Sequence, residues 1–266
     1  MKVNWKRTAT ITIDIILALY LVAAFTAFNK PDQTNVVCKA VTINIEDETP
    51  TGFITATDIK QRLDKAKLYP LNKQMVSISG REIEDLLKKS AFVKTAHCHK
   101  TINGNVTISI TQRMPLLRVK AENGEDYYLD DNALVMPHSQ YSADLMIATG
   151  KINKKFAQEQ IATLVKTLVN SSFWKNQIVQ INILPHQGVE LVPRVGNHII
   201  YIGELPEAAN RQERQALITA YVNKKMTRLE KFYKYGLSQA GWNKYSYINV
   251  EFDNQIICKR RTKDKV

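Results

Sequence analysis

The sequence predicts an α+β protein built from an N-terminal transmembrane helix, a small strand–helix–helix–strand–strand domain, and a larger mixed α/β domain with an open, antiparallel-rich sheet. Three observations carry this reading. An unbroken apolar run occupies residues 9–28 (ATITIDIILALYLVAAFTAF). Within residues 36–112, apolar residues first alternate with period two, then recur at helical spacing, then alternate again. Beyond residue 113, three successive strand-like runs are followed by a long helical stretch and a last alternating run.

The apolar run is read as an anchor. Its twenty residues, at a rise of about 1.5 Å, make roughly 30 Å of helix, the thickness of a bilayer core. Ile11, Ile15, Leu19, Val22 and Phe25 are its anchoring side chains. Lys2, Lys6 and Arg7 precede it, against only Lys30 and Asp32 just beyond, so residues 1–8 are expected to stay in the cytoplasm while the bulk crosses over, a single-pass type II arrangement. A cleaved signal peptide is the competing reading. Such peptides have an apolar region of about 7–15 residues closed by a small-x-small site, whereas this run is longer and ends in AFTAF. Asp14 lies inside it, where an ionised carboxylate costs about 2.5–3.5 kcal/mol. It is about a turn and a half from the cytoplasmic edge, so it snorkels, is protonated or is bonded to a partner helix.

The chain has 266 residues and a formal charge of +12. Outside a membrane, the counterparts of such charge are anionic lipid heads, acidic wall polymers or acidic partner segments. No dense Lys/Arg run with interleaved aromatics appears, so nucleic acid is not an expected partner. Lys259, Arg260, Arg261, Lys263 and Lys265 form one basic cluster, a solvated tail over residues 261–266. Of the three cysteines, Cys38 and Cys98 are open to pairing, with Cys258 left over. Regular alternation would turn Cys38 away from the Val41, Ile43 and Ile45 face. On a strand His97 and His99 point one way and Cys98 the other, so they do not make a metal site, and no cofactor is expected.

Residues 29–35 (NKPDQTN) are a polar linker, and residues 36–46 alternate as a strand. Thr49, Pro50, Thr51 and Gly52 form a turn, and Thr55 to Asp58 open a helix that presents Ile59 and Leu63 and is closed by Pro70. Ser79 and Glu82 have capping-box spacing ahead of a helix with Ile83, Leu86 and Leu87 on one face. Residues 92–100 and 106–112 are two strands joined at Asn103-Gly104-Asn105, a strong hairpin signal. A three-stranded sheet with two helices on one face accounts for the unit, residues 36–113.

The pattern Phe92-Val93-x-x-Ala96-x-Cys98, then Val106-x-Ile108-x-Ile110, then Gln112-Arg113-Met114-Pro115 resembles the POTRA domain of the bacterial cell-division family FtsQ/DivIB. Gln112 stands for the usual acid and Cys98 for the usual valine. The likeness continues through residues 114–260. Residues 127–135 (YYLDDNALV) are similar to the family's hairpin opening its second domain, with Ala133 near the usual glycine, and residues 146–150 resemble its Leu-x-Gly segment. A helix over residues 156–168 carries Ile161, Leu164, Val165 and Leu168, and residues 178–183, 189–192 and 198–202 read as strands ended by Gly203. A helix over residues 213–235, with Gly236 as its C′ residue, holds Arg228-Leu229-x-x-Phe232, similar to the family's basic helix. Residues 245–253 (YSYINVEFD) resemble its Tyr-x-Asp-Leu-Arg-Tyr strand, with Asn249 for Asp and Glu251 for Arg, and a turn at Asn254 leads to a strand over residues 255–259.

This resemblance implies a non-enzymatic divisome scaffold of the cell inner membrane, bulk periplasmic, with a POTRA domain followed by the family's β domain. The implied partners are FtsB/DivIC-type and FtsL-type division proteins and, through them, the septal wall synthase complex, with no small-molecule substrate. A last strand in an open sheet can receive an extended partner segment. The partner-binding residues are Arg228, Tyr245, Tyr247, Ile248, Asn249, Val250, Glu251 and Phe252: Ile248, Val250 and Phe252 face the core, Tyr247, Asn249 and Glu251 face outward, and Arg228 meets a partner acid. Glu251 calls for a basic residue on the partner. The polar His97 and His99 face of the POTRA unit is a second candidate surface. The alternatives are a POTRA-bearing translocation component and a membrane-tethered hydrolase. No tandem repeat or amphipathic strand series supports the first, and no G-x-S-x-G, HExxH, S-x-x-K or P-loop pattern the second. His138, His186 and His198 lie scattered among turns and strands.

Overall fold

The structure, a computed structural model, describes residues 5–28, 36–46, 52–139 and 144–262; within the first stretch the side chains of residues 6–8 and 25–28 are not described. The expected linker at residues 29–35, the turn residues Thr49, Pro50 and Thr51, the charges Lys2, Lys6, Arg7, Lys30 and Asp32, the Phe25 side chain, and Lys263 and Lys265 of the tail fall outside the described residues. The chain divides into two compact units, residues 1–50 with 54–111, and residues 51–53 with 112–266.

Helix α1, Trp5–Phe28, is a single helix of 24 residues. Ile11, Ile15, Leu19 and Val22 are all exposed on it. Among the described residues no helix is long and apolar enough to cross a membrane. The expectation of a spanning helix is corrected to that extent.

The first unit follows its alternation closely. Strands β1 (Ala40–Ile45), β2 (Val93–Lys100) and β3 (Asn105–Gln112) lie in the order β1-β3-β2, with β1 parallel to β3 and Ile43 opposite Ile108. Helix α2 (Ala56–Lys65) starts at a full capping box, in which the Thr55 hydroxyl accepts the Asp58 N–H and Asp58 accepts the Thr55 N–H. Helix α3 (Gly80–Lys88) has a one-sided cap: the Ser79 hydroxyl accepts the Glu82 N–H at 3.2 Å, without the expected return contact. Glu84 instead accepts the backbone N–H of Cys98 at 2.9 Å, tying α3 to β2 and occupying a donor on that edge strand. Cys38 is fully buried, contrary to the alternation argument, because it precedes β1, in a segment bridged to residues 72–75. All three cysteines are free thiols.

The second unit is a nine-stranded sheet in the order β12-β11-β10-β9-β8-β7-β4-β5-β6. Its strands are β4 (Pro115–Ala121), β5 (Asp126–Asp130), β6 (Val135–Pro137), β7 (Met146–Gly150), β8 (Ile178–Ile183), β9 (Gly188–Pro193), β10 (Ile199–Glu204), β11 (Tyr245–Asn249) and β12 (Ile257–Arg260). Five pairings are antiparallel and three parallel, the latter β4–β7, β7–β8 and β10–β11. One segment of the helical layer runs from α4 (Lys154–Phe156) through a π-helical turn (Ala157–Ile161) into α5 (Ala162–Val169). The other is α6 (Arg211–Phe232), continued by a π-helical turn (Tyr233–Leu237) and α7 (Ser238–Ala240). Gly241, at φ 94°, ends that segment, and Gly236, expected to end it, lies inside the π-helical turn, where a Cβ would meet the Phe232 ring at 2.7 Å. Ile161, Leu164, Val165, Leu168, Ile218, Val222 and Leu229 pack with Ile181, Leu191, Ile200 and Ile248 of the sheet in one buried core.

The hairpin between β5 and β6 forms without the expected glycine. Ala133 takes the left-handed conformation at φ 60°, which costs an L-residue roughly 1–2 kcal/mol. The buried Asp130 carboxylate compensates by accepting the N–H groups of Asn132 at 2.9 Å and Leu134 at 2.8 Å. Asp130→Ala is therefore expected to destabilise the chain by about 3 kcal/mol, two charge-assisted bonds being lost. Denaturant unfolding checks this, and an unchanged midpoint would show the turn to be held by other contacts.

Candidate functional site

The described sheet has two edges, β6 and β12. Strand β6 is three residues long and ends in Pro137, features that blunt an edge. Strand β12 has four residues and no proline. In its antiparallel register with β11, Ile257 lies opposite Asn249, Cys258 opposite Ile248 and Lys259 opposite Tyr247. The N–H of Arg261 donates inward to the Lys244 carbonyl at 3.0 Å. Alternation then turns the N–H and C=O groups of Cys258 and Arg260 away from β11.

Strand β11 is thus interior, paired with β10 on one side and β12 on the other, and the expected continuous strand over residues 245–253 is shorter. Val250 still donates its N–H to the Tyr201 carbonyl at 2.9 Å, after which the chain leaves the sheet. Two cations of α6 cause this. Arg228 donates to the Val250 carbonyl and Lys225 to the Glu251 carbonyl, so the acceptors a neighbouring strand would use are already taken. Lys225 is only 3% exposed; its ammonium also lies 3.4 Å from Asp253 and over the Tyr221 ring, 4.9 Å from its centroid. Hydrogen bonds from Lys224 and Lys225 hold the Asp253 carboxyl below its usual range. Asn249 accepts the Glu251 N–H at 2.8 Å, making the turn local.

The predicted partner-binding residues therefore divide. Ile248 and Val250 are buried in the core as expected, whereas Phe252 is 46% exposed because the strand has ended before it. Tyr245 packs against Phe232 at the rim, with ring centroids 6.3 Å apart. Arg228 is committed to the Val250 carbonyl rather than held free for a partner acid. Glu251 lies against Gly203, where an added Cβ would meet its Cγ at 3.0 Å. Ile257, 50% exposed, and the exposed Lys259 and Arg260 are the edge residues that the alternation argument did not single out. Their short run, after an irregular turn, gives too few positions for a periodicity to be read.

Tyr247 belongs to a polar array on the sheet face opposite the helices. It stacks on Tyr201, centroids 6.3 Å apart, and donates to Glu190 at 3.3 Å, while Glu190 accepts from Asn182 at 2.9 Å. Burial, followed by the Glu190 charge, pushes the Tyr247 phenol up to about 12, so it stays a donor. Behind the terminal strands, His198 is buried and its Nε2 lies 2.6 Å from the Tyr233 hydroxyl, beside the edge-on rings of Trp174 and Trp242 that pack on Tyr233. Of the other scattered histidines, His138 lies 3.3 Å from Arg118 and His186 3.4 Å from the Tyr201 hydroxyl. His97 and His99 stack at 6.4 Å on β2. Among the described residues no three His, Cys, Asp or Glu side chains gather as a metal-binding group.

Residues 114–259 match a family model described as FtsQ/DivIB, C-terminal related, and residues 36–111 match one described as a POTRA-like domain. No curated protein matches the chain.

Burial lowers the pKa of His198 from its ordinary 6.5, so the unfolded chain binds this proton more readily than the folded one. Its contribution to stability is complete above about pH 6.5 and is lost as the pH falls through that value toward the folded pKa. Thermal unfolding between about pH 7.5 and 5.5 is expected to show a falling Tm whose slope flattens in His198→Asn; equal slopes would place the proton uptake elsewhere.

Proposed function

This chain belongs to the FtsQ/DivIB family, and from that premise we propose that it is a non-enzymatic scaffold of the division machinery whose β12 edge receives an extended partner segment as an added strand. The partner is an FtsB/DivIC-type subunit, arriving with its FtsL-type companion and, through them, the septal wall synthase complex. What supports the reading is a single contrast: one edge of the sheet is shortened and closed by proline, while the other keeps outward N–H and C=O groups at Cys258 and Arg260. The chemistry around that edge specifies the segment. Ile257 and Phe252 offer apolar contact, and Lys244, Lys259 and Arg260 are cations at least partly open to solvent. An apolar and acidic β-strand is complementary to them. Basic partner residues are expected only near Glu251 and the Glu190 carboxylate beside Tyr247.

Proline tests the edge. Cys258→Pro removes a donor that β11 does not use, and proline is tolerated at an edge position. The variant is expected to keep a Tm near that of the unsubstituted chain and to bind the partner's extracytoplasmic segment roughly tenfold more weakly, the worth of about one backbone bond. Undiminished capture by the folded variant contradicts strand addition. Asn249→Pro, in contrast, strikes an interior strand and is expected to impair folding.

The topology is part of the same proposal and is carried by the sequence: the Lys2, Lys6 and Arg7 head, the apolar run of residues 9–28, and the bulk beyond it. Alkaline phosphatase, active only outside the cytoplasm, is expected to be active when fused after residue 266. An inactive, stable fusion overturns the type II arrangement.

A further inference from the structure

We propose that the POTRA unit carries a lipid-docking surface at the end of its sheet where the chain enters, and that this surface seats the unit on an anionic bilayer face. The inference rests on the anchored reading above. Three segments converge at that end. Val37 bridges to Gln74, the N–H of Cys38 donates to the Lys73 carbonyl at 2.8 Å, and the N–H of Met75 donates to the Val36 carbonyl at 2.8 Å. The hairpin turn between β2 and β3 closes against the same segment: Lys39 donates to the Gly104 carbonyl at 2.8 Å, and a Cβ on Gly104 would lie 2.7 Å from the Val37 oxygen. Lys100 spans the gap, its ammonium donating to the carbonyls of Met75 at 3.1 Å and Ile78 at 2.9 Å.

Each segment exposes an aliphatic side chain at this end: Val37 at 42%, Val76 at 61% and Ile102 at 63%. Scattered exposed apolar residues are ordinary; three of them on converging segments, with Lys39, Lys67 and Lys73 around them, have the composition of an interfacial surface. The Lys73 ammonium donates to the Lys67 carbonyl, which ties the turn after α2 to this end. Helix α2 places Asp64 nearby, and its carbonyl accepts the Lys67 N–H; the lysines outnumber it.

The length of the chain argues for lipid as the occupant. Helix α1 ends at Phe28 and the described fold resumes at Val36, eight residues later, a reach of at most about 29 Å. The entry end of the unit therefore stays close to whatever surface α1 engages. The chain leaves the unit from the far end of β3, since Asn105 lies at the entry end and Gln112 closes the strand. The basic, apolar end is thus the one held near the bilayer.

The test uses the full chain in nanodiscs of phosphatidylcholine alone or with phosphatidylglycerol, each containing spin-labelled lipid. Ile102→Cys carries an environment-sensitive fluorophore, and the unsubstituted chain, labelled in parallel, gives the background from the native thiols. Docking predicts quenching in anionic discs that falls in neutral discs and at high salt. Each lysine near an anionic surface is worth about fivefold, so Lys39→Ala with Lys73→Ala lowers the docked-to-undocked ratio roughly 25-fold. An unquenched label on a chain that co-floats with the lipid overturns docking and leaves the anchor reading intact. A chain that does not co-float overturns both. Shielding that appears only when FtsB/DivIC-type and FtsL-type partners are added overturns docking in favour of a protein interface.

Discussion

Two backbone carbonyls, those of Val250 and Glu251, set the end of the sheet, and the cations that satisfy them come from the middle of α6. A buried carbonyl without a donor costs free energy comparable to a lost hydrogen bond. Had a strand supplied those donors, β11 would have run on to Asp253 and β12 would have started earlier. Arg228 and Lys225 satisfy them instead, so the chain turns out of the sheet, Phe252 emerges into solvent, and only Ile257–Arg260 returns to pair. The edge is short, solvated and bounded by a turn fastened to the helix layer. Lys225 is nearly fully buried, yet it has a carbonyl, a carboxylate and an aromatic face around it, which is what makes a buried ammonium tolerable.

The two faces of the sheet divide the labour. On the helical side, aliphatic residues of α5 and α6 close over Ile181, Leu191, Ile200 and Ile248. On the other side Gln180, Asn182, Glu190, Tyr201 and Tyr247 satisfy one another across strands, joined by Thr149 and by Tyr stacking. That array fixes the register of β10 and β11, because a one-residue slip would put Tyr247 into the core and Ile248 into water. The edge strand is paired to a rigid neighbour, so strand addition at β12 would extend a preorganised ladder rather than order a loose one.

Much of this was legible in the residues. The strict alternation of Val106, Ile108 and Ile110 against Thr107, Ser109 and Thr111 located β3, the run Ile178–Ile183 matched β8 to the residue, and Thr55 with Asp58 located the start of α2. Strand β4 is not legible although it lies inside the sheet: Leu116 beside Leu117, after a proline, obscures the alternation of Leu117, Val119 and Ala121. The role of Arg228 was not legible either, since its acceptor is 22 positions away in sequence and is a backbone atom. A period of two continued past Asn249 places Phe252 in the core, but the strand stops at Asn249. Gly236 carried a helix-stop signal, but the helical layer runs on through a π-helical turn to Gly241, and nothing local distinguishes the two glycines.

The most direct measurement is amide hydrogen exchange on the full chain, alone and with the extended segment of an FtsB/DivIC-type protein, the partner proposed above. Strand addition predicts new protection at the amides of Cys258 and Arg260, with Ile257 and Lys259, already paired inward, changing far less. Binding that leaves Cys258 and Arg260 exchanging as fast as before would contradict the account and move the partner's site away from this edge.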